Sequence, residues 1–389
     1  MEKQLIPQLR FPEFEGKWES DSVNNKAEKL KVGFVGTCEP FYTNKEKGVL
    51  LVRTGNLKGV DIILDDVKYV TSNFHKKNIK SQLYPDDLIL ARHGGKGEIC
   101  LVPKNFPTAN CLNIVILRID NTINSKYFQL IYGTASIQKQ IIAVTAGSTQ
   151  TVINTKEIGF LKFKFPSLPE QQKIASFLTD VDDKITKLTQ KKDLLERYKK
   201  GVMQKIFNQE LRFKDENGNT FPDWEEKRLG EICVKKSSNL SANSLNENFG
   251  KYKIYGATGF LKCIDFYDEE TEYIGIVKDG SGVGNNFLAE KYSSVLGTID
   301  KIFSNKKSNI YFLKCLLDRI HFEKYKVGSS IPHIYFKDYS SEKIIYPCIK
   351  EQTKIANFLS DIDLKIEALN TKIENSKSFK KGLLQKMFV

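Results

Sequence analysis

The sequence predicts an α+β protein: two globular domains separated by two long antiparallel coiled-coil helices, arranged as an internal pseudo-two-fold repeat. Three observations carry that expectation. Residues 166–207 and 347–388 align without a gap and share 20 of 42 identities. Both copies keep a heptad pattern of apolar residues. The stretches before and between the copies resemble each other far less, so one repeated spacer frames two dissimilar modules.

The elements follow in chain order. Residues 1–165 form the first domain, with an entry segment at 1–17 that lacks the apolar core of a signal peptide. Its β-type runs are VLLVRTGNL, DDLILARHGG and LNIVILRI, and a helical stretch is expected near Lys126 to Gln140. Residues 166–210 hold the first long helix. Ser167 and Glu170 fit a capping box, and Pro169 sits where a first helical turn accepts proline. Its seam is Ile174, Leu178, Val181, Ile185, Leu188 and Leu195, interrupted by Lys192 and Lys199. The polar turn Lys214 to Asn219 links the halves.

Residues 211–346 form the second domain, with runs EYIGIVKDGSG and SVLGTIDKIF and a helical stretch near Asn309 to Tyr325. Residues 347–389 hold the second long helix. Its seam is Ile355, Leu359, Ile362, Ile366, Leu369 and Ile373, followed by the polar Ser376 and Lys380. An amphipathic helix this long cannot stay exposed, and its cheapest partner is the other copy. The seam polar residues set register or meet a third partner. The entry tryptophans, Trp18 and Trp224, are 206 apart against 181 for the helices, so the first module is 25 residues longer.

The 389 residues carry a formal charge of +13, with 40% apolar residues. Such a basic excess favours an anionic partner, and nucleic acid is the commonest. No run of about 18 apolar residues exists to span a membrane. The seven cysteines, Cys38, Cys100, Cys111, Cys233, Cys263, Cys315 and Cys348, form no C-x-x-C pair and read as reduced cytosolic thiols.

Catalytic signatures are missing. Asp279 to Gly284 is glycine-rich but lacks the following helix a phosphate cradle needs, so it reads as a turn. His75, His93, His321 and His333 show no metal-ligand spacing. Asp86-Asp87 has no Glu-x-Lys partner and reads as a strand-entry turn. The chain is expected to bind, with no catalytic or metal site. Donor-rich loop residues are the binding candidates: Arg53, Asn56, Arg92, His93, Lys96, Ser148, Thr149 and Gln150 in the first module; Tyr255, Lys278, Ser329, Ser330 and His333 in the second. Arg and Lys suit guanine edges and Asn and Gln suit adenine, while many such side chains touch only phosphate.

The block Glu170-Gln171-Gln172-Lys173-Ile174-Ala175-x-Phe177-Leu178 recurs as Glu351-Gln352-x-Lys354-Ile355-Ala356-x-Phe358-Leu359. Tyr198-Lys199-Lys200-Gly201-x-x-Gln204-Lys205-x-Phe207 recurs as Phe379-Lys380-Lys381-Gly382-x-x-Gln385-Lys386-x-Phe388. LRFPEF at Leu9 is echoed by LRFKDENG at Leu211. With these blocks the whole chain resembles the DNA-specificity subunit of a type I restriction–modification enzyme. The resemblance implies that each domain is a target-recognition domain reading half of a split, asymmetric sequence in double-stranded DNA. It implies that the helices set the gap and dock two methyltransferase (modification) subunits, which restriction (translocase and nuclease) subunits join. S-adenosylmethionine, ATP and Mg are then expected on those partners and no cofactor on this chain, in the cytoplasm and away from membranes. A coiled-coil scaffold without direct DNA readout is the alternative.

Overall fold

The computed structural model describes residues 6–91, 99–145, 154–245, 247–305 and 307–388. The chain divides into two compact units, one of residues 1–188 with 372–389 and one of residues 189–371.

In the first unit, a four-stranded antiparallel sheet runs in the order Ile99–Leu101, Leu88–Ala91, Ile114–Ile119, Ala27–Val32. The strand Ile114–Ile119 lies in LNIVILRI, and its apolar run is continuous because both faces are covered. Period-two alternation divides its side chains between two cores. Val115 and Leu117 join Trp18, Tyr127 and Phe128 in one; Ile114 and Ile116 join Val52, Ile89 and Cys111 in the other. A five-stranded sheet follows the order Tyr42–Thr43, Lys68–Thr71, Gly48–Arg53, Ala109–Leu112, Gln82–Leu83, with Gly48–Arg53 and Ala109–Leu112 parallel.

The second unit repeats the plan with fewer strands. Its four-stranded antiparallel sheet is Cys233–Ser237, Ile299–Ser304, Tyr273–Val277, Asn286–Ala289. Its three-stranded sheet is Gly259–Ile264, Tyr252–Gly256, Ser294–Val295, again with one parallel pair, Tyr252–Gly256 and Ser294–Val295. Each module is closed by pairing its first strand with its last: Glu19–Ser22 with Lys162–Phe165, and Glu225–Arg228 with Lys343–Tyr346.

The long helices are Leu168–Phe207, of 40 residues, and Ile349–Met387, of 39. All twelve seam residues named above are buried or half-buried. In the first unit Ile174 and Leu178 share a core with Leu383 and Met387. In the second, Ile355, Leu359 and Ile362 share one with Ile206. The start of one helix therefore lies beside the end of the other, and the pairing is antiparallel in each unit. Two seam lysines fix its register. Lys380 contacts Asp182 at 2.6 Å in the first unit, and Lys199 contacts Asp363 at 2.6 Å in the second. Asp182 and Asp363 are 181 residues apart, as are Lys199 and Lys380, so the repeat makes the same Asp–Lys pair once in each unit. The other two polar seam residues stay local: Lys192 pairs with Glu196 on its own helix, and Ser376 donates to the carbonyl of Lys372.

Three local expectations change. The capping box at Ser167 gives way to a long-range ion pair: both carboxylate oxygens of Glu170 accept from Arg10, at 2.8 and 2.7 Å. The helical stretch near Lys126 to Gln140 is two helices, Ser125–Tyr132 and Ala135–Thr145. The stretch near Asn309 to Tyr325 is a helix, Ile310–Leu317, and a short 3-10 turn, Phe322–Tyr325. In both modules Asn124 or Asn309 caps the first of these helices by accepting from the backbone three residues on.

Candidate nucleic-acid interface

Each module is fastened to its long helix by the same Glu-Gln pair. Gln171 accepts from the backbone N–H of Asn124 at 2.8 Å and donates to the carbonyls of Pro166 and Thr122. Gln352 accepts from the backbone N–H of Asn309 at 3.0 Å and donates to the carbonyls of Pro347 and Lys307. Both glutamines are fully buried, and each ties the helix start to the cap of the module helix. Glu351 is bound by Arg212 at 2.8 and 3.0 Å, as Glu170 is by Arg10. Buried carboxylates are tolerable only when paired in this way. The repeated motif is thus a mount that joins each module's capped helix to the start of its long helix.

The second module has a loop-rich end. The strand Tyr273–Val277 runs into Lys278 and Asp279, and the segment Val327–Ile334 lies beside it. The N–H of Ile334 donates to the carbonyl of Lys278 at 3.0 Å, and that of Gly280 to Pro332 at 2.9 Å. Val327 and His333 exchange backbone bonds at 2.9 and 2.8 Å. Gly328 turns this segment at φ +87°, where an added Cβ would meet the Ile331 carbonyl at 2.8 Å. His333 Nδ1 contacts the Asp279 carboxylate, and its ring lies 4.2 Å from that of Tyr335. Lys278 Nζ is 3.5 Å from Asp300. The structure thus gathers Lys278, Ser329, Ser330 and His333, with both serines exposed at the turn. Tyr255 is not part of this group. It is a core residue against Phe287, and burial raises its phenol above the usual range.

In the first module Asn56 is likewise sequestered. Its carbonyl accepts from the N–H of Arg53, and its amide donates to the carbonyls of Ile63 and Asp66, which leaves no group for a base edge. Arg53 bonds the Asp66 carbonyl at 2.9 Å and its carboxylate at 3.1 Å. Arg92, His93, Lys96, Ser148, Thr149 and Gln150 lie outside the described residues. Asp87 enters its strand as expected from the sequence: it is buried and bound by Arg118 at 2.7 and 3.0 Å.

Two surfaces escaped the sequence reading. His75-Lys76-Lys77-Asn78-Ile79-Lys80 follows the strand Lys68–Thr71 and exposes three lysines beside Ile79, itself 66% exposed. The run was visible in the sequence as a charge cluster at a strand end. In the second module Phe249 is 75% exposed, and Lys262 lies 4.7 Å over its ring. Cations interleaved with aromatic rings suit a nucleic-acid backbone and its bases.

Among the described residues no group of three His, Cys, Asp or Glu is placed to hold a metal. The seven cysteines are free of disulfides. Burial pushes the thiols of Cys111, Cys233 and Cys315 up to about 12, which makes them poor nucleophiles. No described helix is long and apolar enough to cross a membrane.

The family model for the type I restriction modification DNA specificity domain matches twice, at residues 20–197 and 222–376. This chain belongs to that family. The MjaIX specificity subunit of Methanocaldococcus jannaschii is 25% identical over 350 residues, which cover 81% of this chain and 80% of that one. The MjaVIII specificity subunit of the same organism is 30% identical over 201 residues, and the match spans about half of each chain, 48% and 47%. The crystal structure of the type I restriction–modification S subunit from M. genitalium matches with a TM-score of 0.64 at 20% identity, covering 99% of both chains. That likeness extends the α+β, two-domain, internally repeated fold to the whole chain. The two matched segments are DNA-specificity domains, so DNA target recognition is the function of the family to which both modules belong.

Proposed function

We propose that this chain is the specificity subunit of a type I restriction–modification complex and reads a split, asymmetric duplex target, one half with each module. The observation that carries this reading is the duplicated mount. Gln171 and Gln352, with Glu170 and Glu351, tie two dissimilar modules to the same frame. Equivalent frames present equivalent docking to a duplex whose backbone has local two-fold symmetry. Dissimilar loops then read dissimilar half-sites. The paired helices, held in register by Asp182–Lys380 and Lys199–Asp363, set the gap.

The chain acts in the cytoplasm and contributes no bond-making step. Two modification subunits supply adenine methylation with S-adenosylmethionine, and restriction subunits supply ATP- and Mg-dependent cleavage. A methylated adenine must leave the stack, so the reader holds the duplex while a partner acts. Lys278, His333, Ser329 and Ser330, with Arg53 and the lysines at 76, 77 and 80, are the residues proposed to contact DNA.

The test is the methylome of a host lacking adenine methylation that expresses this chain with the modification subunit of its system. One bipartite motif with a constant gap, methylated on both strands, is the expected result. A soluble complex that methylates no new motif would sink the proposal and favour a scaffold.

A further inference from the structure

Asp279 and His333 lie opposite each other in an antiparallel bridge. The N–H of Gly280 donates to Pro332 on one side of them and that of Ile334 to Lys278 on the other. Asp279 and His333 therefore form a non-hydrogen-bonded pair, the kind that brings its side chains closest. His333 Nδ1 accordingly meets the Asp279 carboxylate. The histidine backbone is held by Val327, and its ring lies against Tyr335. Backbone, carboxylate and neighbouring ring together orient the imidazole.

A carboxylate only accepts, so the hydrogen of this contact sits on Nδ1. In a neutral imidazole the other nitrogen then carries a lone pair. Among the described residues Nε2 has no bonding partner, and it is not enclosed. The His333 side chain is 27% exposed, at the loop end that also holds Lys278, Ser329 and Ser330. A lysine can only donate, and a serine hydroxyl does either. His333 adds what Lys278 cannot supply, a side-chain nitrogen committed to acceptance.

Duplex DNA offers few partners for such a group. Phosphate oxygens only accept, as do N7 and O6 of guanine and O4 of thymine. The base-edge donors are exocyclic amino groups: N6 of adenine and N4 of cytosine in the major groove, N2 of guanine in the minor groove. An acceptor at Nε2 is thus a poor phosphate contact and a selective base contact.

We propose that His333 reads the exocyclic amino group of one base in the half-site of the second module, and that Asp279 is the positioning residue that commits Nε2 to acceptance. The proposal rests on the specificity-subunit reading.

Two measurements test it. The chain has four histidines, so nitrogen NMR of the full chain labelled at histidine resolves His333, assigned with His333→Gln. Under the binding conditions the hydrogen is expected on Nδ1 and the lone pair on Nε2, and Asp279→Ala should mix the two tautomers. A charged ring or a hydrogen on Nε2 in the wild type overturns the proposal, and this result needs no variant to fold. The second measurement titrates the chain, assembled with the modification subunit of its system, against duplexes carrying the methylated motif. Each adenine, cytosine or guanine is replaced in turn by purine, pyrimidinone or hypoxanthine, which lack the amino group. At one position the loss should weaken wild-type binding about tenfold and leave His333→Ala unaffected, with a smaller penalty in Asp279→Ala. Circular dichroism checks the fold of both variants. Equal penalties in the wild type and a folded His333→Ala at every position overturn this inference alone. A wild-type complex that prefers no motif over an unrelated duplex overturns the functional reading with it.

Discussion

The two units share a frame and differ in how tightly side chains close it. In the second, Glu351 accepts three bonds, two from Arg212 and one from the Trp224 indole at 3.0 Å. In the first, among the described residues, the Glu170 carboxylate accepts only from Arg10 and the buried indole N–H of Trp18 has no partner. The seam pairs differ in the same direction. Asp363 takes Lys199 and also the Tyr311 hydroxyl, whereas the residue matching Tyr311 in the first unit is Lys126. Lys126 is half-buried; desolvation lowers its pKa, and the nearby Asp182 opposes that shift. The lesson is that the backbone clasp made by the glutamines is retained twice, while the charges around it have diverged with each module.

The largest test of that difference is at the buried glutamates. Glu351→Ala should cost the second unit on the order of 3 kcal/mol, because it strands a half-buried arginine and also frees a buried indole. Glu170→Ala should cost the first unit less. Urea unfolding followed by hydrogen exchange resolves each unit, and an equal or larger loss at Glu170 breaks the comparison.

The tryptophans come next. Trp224→Phe should cost about 1–2 kcal/mol more than Trp18→Phe, since only the former gives up a hydrogen bond to a buried carboxylate. Matching losses would mean that the Trp18 N–H is satisfied in solution.

Smaller effects belong to the seam. Double-mutant cycles should give about 0.5–1 kcal/mol for Lys199 with Asp363 and no more than that for Lys380 with Asp182, as both pairs are partly exposed. Tyr311→Phe should bring the first value down to the second; if it does not, the hydroxyl is irrelevant to the pair.

The smallest expected effect is on acid stability. Burial of Glu269 raises its pKa, but hydrogen bonds from Lys301 and Lys236 outweigh this and hold it below the ordinary 4.5. A depressed folded value stabilises the folded state above the unfolded pKa, and that contribution is lost as pH falls through the folded one. The second unit should therefore weaken below about pH 4.5, and Glu269→Gln should flatten that slope. An unchanged slope in the variant would assign the acid sensitivity elsewhere.

Much of this was legible beforehand. The strands fell in the expected apolar runs, each seam formed one uninterrupted helix, and the extra length of the first module lies mostly before Asn124, in its larger sheets. The interface was harder to read. Lys278 and His333 lie on neighbouring segments, whereas Tyr255 and Asn56, both binding candidates in the sequence, are buried. A tyrosine before a glycine, or an asparagine in a Thr-Gly-Asn turn, looks the same whether its neighbours cover it or not.

The sequence by itself determined the repeat and the helices with their apolar faces, because periodicity and composition act over a few residues at a time. Tertiary structure alone decided which charges meet. Glu170 bonds Arg10 across 160 residues and Glu351 bonds Arg212 across 139. Lys199 finds Asp363 across 164 and Lys380 finds Asp182 across 198. Such pairs cost loop-closure entropy that no local pattern records, and they form only once burial of the apolar seam has brought their backbones together.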